Sequence, residues 1–200
     1  MTSSPRWFTD TDDDHSEQYV EYIRGLAAEG SDLAGEARFM DALMAPRSRV
    51  LDAGCGPGRV GAALHARGHD VVGVDVDPIL IAAAVADHPE PMWVVSDLVE
   101  MDLAAVGVTE PFDAAVLAGN VLAFVAPQTE VEALRGVGRH LVPGGRAVVG
   151  FQTERYAVAE FDRHLEDAGF TLEQRFATWD LRPWNAKADF AVSVLLWSGE

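Results

Sequence analysis

From Arg49 to Phe151 this chain of 200 residues alternates short apolar runs with helical stretches, and few architectures accommodate that rhythm. The apolar runs lie near 49–53, 70–75, 92–96, 113–118 and 146–151, with helices expected near 59–67, 78–87 and 129–141. Nearly all-apolar strands, rather than alternating ones, are expected where helices cover both faces of a parallel sheet. Local punctuation agrees. Asp77-Pro78 offers an N-cap followed by proline at the first helical position. Thr129 to Glu132 has the form of a capping box, and Pro143, Gly144 and Gly145 supply a turn into the fifth strand.

The flanks differ from this centre. Residues 1–14, with Asp10 and Asp12 to Asp14, read as a charged lid; helices follow near Glu17–Ala28 and Leu33–Met44. At the other end a helix near Ala157–Ala168 stops at Gly169, the expected C′ residue. Two β-rich runs remain, Thr171–Asp180 and Asp189–Trp197; with no long helix between them they should pair antiparallel. The expected organisation is therefore a helical lid or extension over 1–48 and a single α/β unit over 49–200.

Bulk properties narrow the partners. The hydrophobic share of 48% suits a globular domain with a proper core. The formal net charge of −17 repels phosphate backbones, so nucleic acid is not expected as a substrate. One cysteine excludes an intrachain disulfide and fits a reducing cytoplasm. The polar, acidic N-terminus does not resemble a signal peptide. The longest apolar stretch, Ala114–Ala126, contains Gly119 and Asn120 and falls short of the roughly 20 residues of a membrane helix. A cytoplasmic protein without a membrane partner is expected.

The chemistry concentrates in Arg49–Gly61, RVLDAGCGPGRVG. A strand, a turn with Gly54, Gly56 and Gly58, and a helix N-terminus form a nucleotide-type site. No Lys-Ser or Lys-Thr pair follows, which excludes a P-loop. Asp52, at the strand tip, disfavours the pyrophosphate of a dinucleotide, because like charges in a desolvated site repel. It favours S-adenosyl-L-methionine, which brings an ammonium and a sulfonium. Cys55 lies inside the turn, where a small side chain fits. Asp75, about 20 residues on and followed by Val76, stands where an acid meets ribose hydroxyls. Asp97, flanked by Ser96 and Leu98, is placed to accept from the adenine amine or to cap its own turn. Ala118, Gly119 and Asn120 follow the fourth strand, and Asn120 suits a turn as well as a site wall.

LDAGCGPGRVG, VGVDVDP, SDL, FDAAVLAGN and LVPGGRAVVGF, in that order over 49–151, resemble a class I S-adenosylmethionine-dependent methyltransferase, especially the small actinobacterial TehB-like members. The resemblance implies that Gly54, Gly56 and Gly58 contact the methionine part of the cofactor, Asp75 the ribose and Asp97 the adenine. It also implies a Rossmann-like, mostly parallel seven-stranded sheet with an antiparallel last strand and helices on both faces. S-adenosyl-L-homocysteine would be the product, and the acceptor a small molecule that takes the methyl group by SN2 displacement. The Asp/Asn-Pro-Pro-aromatic motif of many base methylases is missing; AGNVLAF stands there. A non-catalytic cofactor binder and an NAD-dependent oxidoreductase are the alternatives.

No general base and no metal site is identified. His65 and His69 are separated by Gly68, which should end their helix. His15 in the lid region is a surface residue or a group facing substrate. Trp7, Phe8, Tyr19 and Tyr22 either close over the cofactor or pack the helices. The loop Leu181–Lys187, with Arg182 and Trp184, should begin on the ligand side and contribute to specificity.

Overall fold

The computed structural model describes residues 4–199. Seven strands form one sheet: β1 (Arg49–Ala53), β2 (Asp70–Asp75), β3 (Met92–Val95), β4 (Phe112–Leu117), β5 (Leu141–Gln152), β6 (Phe170–Phe176) and β7 (Phe190–Trp197). Their order is β3-β2-β1-β4-β5-β7-β6. β1 pairs in parallel with β2 and β4, and β5 with β4, while β7 runs antiparallel to both β5 and β6. The central strands are buried from both sides, as two large clusters show, while the edge strand β3 leaves Met92 and Val95 exposed. Leu51, Val72, Ala115 and Val149 face one cluster; Val50, Val71, Val116 and Val148 face the other.

Eight helices complete the described chain: α1 (Arg6–Thr9), α2 (His15–Ala28), α3 (Gly35–Leu43), α4 (Arg59–His65), α5 (Pro78–Asp87), α6 (Val121–Phe124), α7 (Glu130–Gly138) and α8 (Val158–Asp167). α3 and α4 cover one face through Phe39, Met40, Val60 and Leu64. α7 and α8 cover the other through Leu134, Val137, Phe161 and Leu165. Asp77 caps α5, its Oδ1 accepting from the Ile79 amide at 2.8 Å, with Pro78 opening the helix. Gly169, at φ +92°, ends α8 as expected. Among the described residues no helix is long and apolar enough to cross a membrane.

Three local expectations are corrected. Thr129 makes no side-chain cap on α7; its hydroxyl donates back to the Ala126 carbonyl at 2.8 Å, closing its own turn instead. Pro143-Gly144-Gly145 does not precede β5 but lies within it, as an irregularity between the Phe112–Leu141 and Ala114–Arg146 pairs. β6 ends at Phe176 rather than near Asp180, because the chain folds back at once: the Ala177 amide donates to the Arg182 carbonyl at 2.8 Å.

Sequential order reverses between β1 and β4, which are neighbours although β2 and β3 lie between them in sequence. The loops that leave these two strands therefore diverge to opposite faces. In an open α/β sheet that divergence leaves a crevice outside the strands' carboxyl ends.

Candidate functional site

A cavity of about 340 Å³ occupies this crevice. The end of β1 and the turn after it supply Asp52, Gly54, Cys55 and Gly56 to its wall; β2 and the residue after it supply Asp75 and Val76. The turn after β3 supplies Ser96, Asp97 and Leu98, and that after β4 supplies Ala118, Gly119 and Asn120. Every residue expected to bind the cofactor thus lines one cavity, except Gly58. At φ +85° it opens α4, and a Cβ there would come within 2.9 Å of the Trp93 indole. Its bareness serves the packing of Trp93 against the back of the turn.

Gly54 is needed for a different reason. It sits at φ +76°, and a Cβ would collide with Val121 of α6 at 2.5 Å. The bare backbone lets the β1 and β4 turns close on each other. Gly56, at φ +55°, turns its amide to the Asp75 Oδ2 at 2.8 Å. Asp75 Oδ1 accepts from the Asp77 amide at 3.0 Å. The carboxylate of β2 thereby holds the glycine turn of β1 in place, and its remaining lone pairs stay available.

Asp52 is 1% exposed and accepts from the Gly61 amide in the first turn of α4 at 2.8 Å. Burial pushes its pKa up from 3.8 to about 7, against the lowering effect of that amide. Burial likewise pushes Asp75 up to about 6, opposed by its backbone amide donors. Neither acid makes an ion pair among the described residues. Two buried carboxylates in one ligand cavity suit a ligand that brings positive charge and hydroxyl donors, and oppose a pyrophosphate. Burial also drives the Cys55 thiol well above its ordinary value, so the thiol stays protonated there.

Asp97 and Asn120 both hold their own turns. Asp97 Oδ1 accepts from the Val99 amide at 2.8 Å, and Asn120 Oδ1 accepts from the Gln152 amide at 2.7 Å. Asn120 is left-handed at φ +67°, and its amide donates to the Gly150 carbonyl at 3.2 Å, tying the tip of β4 to that of β5. Both residues still present their remaining atoms to the cavity.

The N-terminal segment crosses this cavity as a strap. Trp7 of α1 donates its indole N–H to Asp77 Oδ2 at 2.7 Å, and Ser16 of α2 donates to the same oxygen. On the other side Arg6 pairs with Glu130 of α7 at 2.9 Å. Trp7, His15 and Tyr19 line the cavity, with the Trp7 ring 4.8 Å from His15 and 5.4 Å from Phe124. Phe8 and Tyr22 do not join them; they are 48% and 61% exposed. The Leu181–Lys187 loop also stays away. Arg182 pairs with Asp180 at 3.4 Å, and Trp184 packs on the core beneath the Arg175 guanidinium, 5.4 Å from its ring. Tight return of the chain after Phe176 draws this loop back over β6.

Several wall residues were not foreseen, and three of them carry a charge or an aromatic ring. Arg59 opens α4 and is held by Glu36 of α3 at 2.5 Å. Phe124 lies in the one-turn α6, and Arg155 in the loop after β5. No local motif marks the last two; only the pairing of β4 with β5 brings them to the same edge.

Fold and cavity define a doubly wound α/β protein with an acid-lined cavity at its switch point. The comparisons identify the family. A family model described as "Methyltransferase domain" matches residues 50–145. The crystal structure of a TehB-like SAM-dependent methyltransferase from Corynebacterium glutamicum is 43% identical, with a TM-score of 0.85 over 92% of this chain and 98% of that one. The CcbJ methyltransferase from Streptomyces caelestis shares the fold at 22% identity and TM-score 0.73, over 82% and 88% of the two chains. So does a 1,6-didemethyltoxoflavin-N1-methyltransferase from Burkholderia thailandensis, at 21% identity and TM-score 0.63, over 94% and 92%. A comparison with curated proteins finds no match. The chain belongs to the class I S-adenosylmethionine-dependent methyltransferases. S-adenosyl-L-methionine is its methyl donor and S-adenosyl-L-homocysteine its product, which replaces the dinucleotide alternative.

Proposed function

We propose that this enzyme methylates a small molecule, with the donor laid across the carboxyl ends of β1, β2 and β3. In this reading Gly54, Cys55 and Gly56 run beneath the methionine part, and Asp52 faces its cationic end. Asp75 accepts from the ribose hydroxyls. Asp97 accepts from the adenine amine, with Ser96 and Leu98 at the ring and Ala118, Gly119 and Asn120 on the transfer side. The observation that carries the reading is the pair of buried carboxylates Asp52 and Asp75 on either side of the glycine turn, neither in an ion pair among the described residues. The sulfonium already carries an activated methyl, so alignment is the main task of the protein, and alignment contributes on the order of 7–11 kcal/mol to such a step.

Three features support a small acceptor. The net charge of −17 opposes a nucleic-acid backbone. AGNVLAF follows β4 where base methylases often carry a Pro-Pro motif. The Burkholderia neighbour holds 1,6-didemethyltoxoflavin, a compound of small-molecule size.

Calorimetry tests the donor site. Asp75→Ala should weaken S-adenosyl-L-homocysteine by roughly 1–3 kcal/mol, the cost of losing hydrogen bonds to a charged group. Unchanged affinity would remove Asp75 from the site. Radiolabel transfer to small acids, amines, phenols and thiols, compared with DNA and RNA, tests the acceptor class; label found only in nucleic acid would overturn it.

A further inference from the structure

A second, larger cavity of about 710 Å³ adjoins the donor cavity. The two share His15, Phe124 and Arg155 in their walls, so they meet at α6, directly after β4. A methyltransferase needs room for an acceptor beside its donor, and this chamber shares three wall residues with the donor cavity. Its walls are distinctive in charge. Asp10 and Asp12 come from the strap, Glu130 from α7 and Glu160 from α8. Against these four carboxylates stand two guanidiniums, Arg6 and Arg155. Arg6 is matched by Glu130 at 2.9 Å. Arg155 donates to the Gln152 side chain at 2.8 Å and lies 5.7 Å above the Phe124 ring. Asp10, Asp12 and Glu160 make no ion pair among the described residues. An acidic cluster by itself marks no site. Here the carboxylates line the cavity that abuts the proposed donor site, so their charge bears on the acceptor.

We propose that this chamber is the acceptor site and that it selects a small amine, methylated on nitrogen. The proposal rests on the small-molecule reading above and gives it a chemical class. An amine arrives as an ammonium ion, drawn by the excess of carboxylates. An ammonium has no lone pair, so it must lose a proton before it attacks. His15 stands at the junction of the two cavities, with no side-chain hydrogen bond to another described residue. A neutral imidazole nitrogen accepts protons, and this ring is placed to take that one. The nitrogen lone pair then attacks the methyl carbon. The N–C bond forms as the C–S bond breaks, sulfur keeps the bonding pair, and the positive charge passes from the sulfonium to the methylated ammonium. His15 returns its proton to solvent, and no other reactant is consumed.

The experiment offers the enzyme methyl-labelled S-adenosyl-L-methionine with butylamine, putrescine or phenethylamine. Phenylacetate and p-cresol serve as anionic and neutral counterparts. Amines should be methylated in preference to both. Exposed carboxylates act through a screened field, so Asp12→Asn and Glu160→Gln should each raise the amine KM about two- to fivefold, with unchanged affinity for S-adenosyl-L-homocysteine. Added salt should raise the same KM. Preference for the acid or the phenol would overturn the proposal, as would an amine KM indifferent to both substitutions and to salt. Silence of every amine while S-adenosyl-L-homocysteine still binds would overturn it too, and would leave the donor site standing. Failure of the wild-type protein to bind S-adenosyl-L-homocysteine would instead bring down the donor-site reading, and this proposal with it.

Discussion

Asp52 carries an electrostatic conflict that the donor, in the proposed pose, resolves. Its carboxyl is buried and held up at about 7, while Asp75 is held up at about 6, both by burial. A raised carboxyl in the folded state keeps a proton that the unfolded chain releases near 3.8. The stability from that proton is complete below the unfolded value and is lost as pH rises through the folded one. Donor binding runs the other way. Its positive charge favours the ionised acids, so affinity for S-adenosyl-L-methionine should strengthen as pH rises through 6 and 7, by roughly tenfold for each pH unit between an acid's donor-free and donor-bound pKa. Asp52→Asn should bind more weakly at pH 8 and lose the step near 7 while keeping the one near 6. Calorimetry in buffers of differing ionisation enthalpy counts the protons released. An identical pH profile in the variant would assign the titration elsewhere. The types and spacing of these acids were legible in the sequence, but their protonation was not, because it depends on how deeply α4 and the glycine turn bury them.

Trp93 shows how an element can take over residues that look functional. This β3 side chain donates its indole N–H to the His88 carbonyl at 2.7 Å and lies across the glycines of two other elements. Added Cβ atoms would meet its ring at 2.9 Å from both Gly58 and Gly61, and closer still from Gly73. Two glycines of the Arg49–Gly61 segment, Gly58 and Gly61, therefore form a packing surface for an indole. Trp93→Ala should cost on the order of 2 kcal/mol in urea unfolding, less than a fully buried tryptophan because the ring is half-buried. Affinity for S-adenosyl-L-homocysteine in the folded fraction should change little; a loss much larger than the stability loss would place Trp93 in the site. The strands themselves were readable, since apolar runs bounded by turn residues need no tertiary information. The one-turn helices α1 and α6 were not, because four residues give no periodicity. The inward fold of Trp184 was also hidden, since it follows from a turn at Phe176 that no local motif marks.

At the scale of the whole molecule, the donor cavity is walled by pieces that the sheet alone does not hold together. The strap is latched to α5 through Asp77 and to α7 through Glu130, while the turns of β1, β2, β3 and β4 supply the floor. A ligand that touches all of them adds its binding energy to folding. At a concentration 100 times its dissociation constant that amounts to roughly 2.7 kcal/mol. For a domain of this size each 1 kcal/mol shifts Tm by about 2–4 °C, so S-adenosyl-L-methionine should raise Tm by roughly 5–11 °C. The gain should be larger at pH 8 than at pH 5.5, because the ionised Asp52 and Asp75 that destabilise the free protein are the groups the donor satisfies. NADH at the same concentration should leave Tm unchanged, since its pyrophosphate would lie against those same acids. Scanning calorimetry of the free and ligand-mixed protein at both pH values decides the matter. A shift with NADH equal to that with the methyl donor would mean that the carboxylates do not select for positive charge, and the electrostatic account of this cavity would fail.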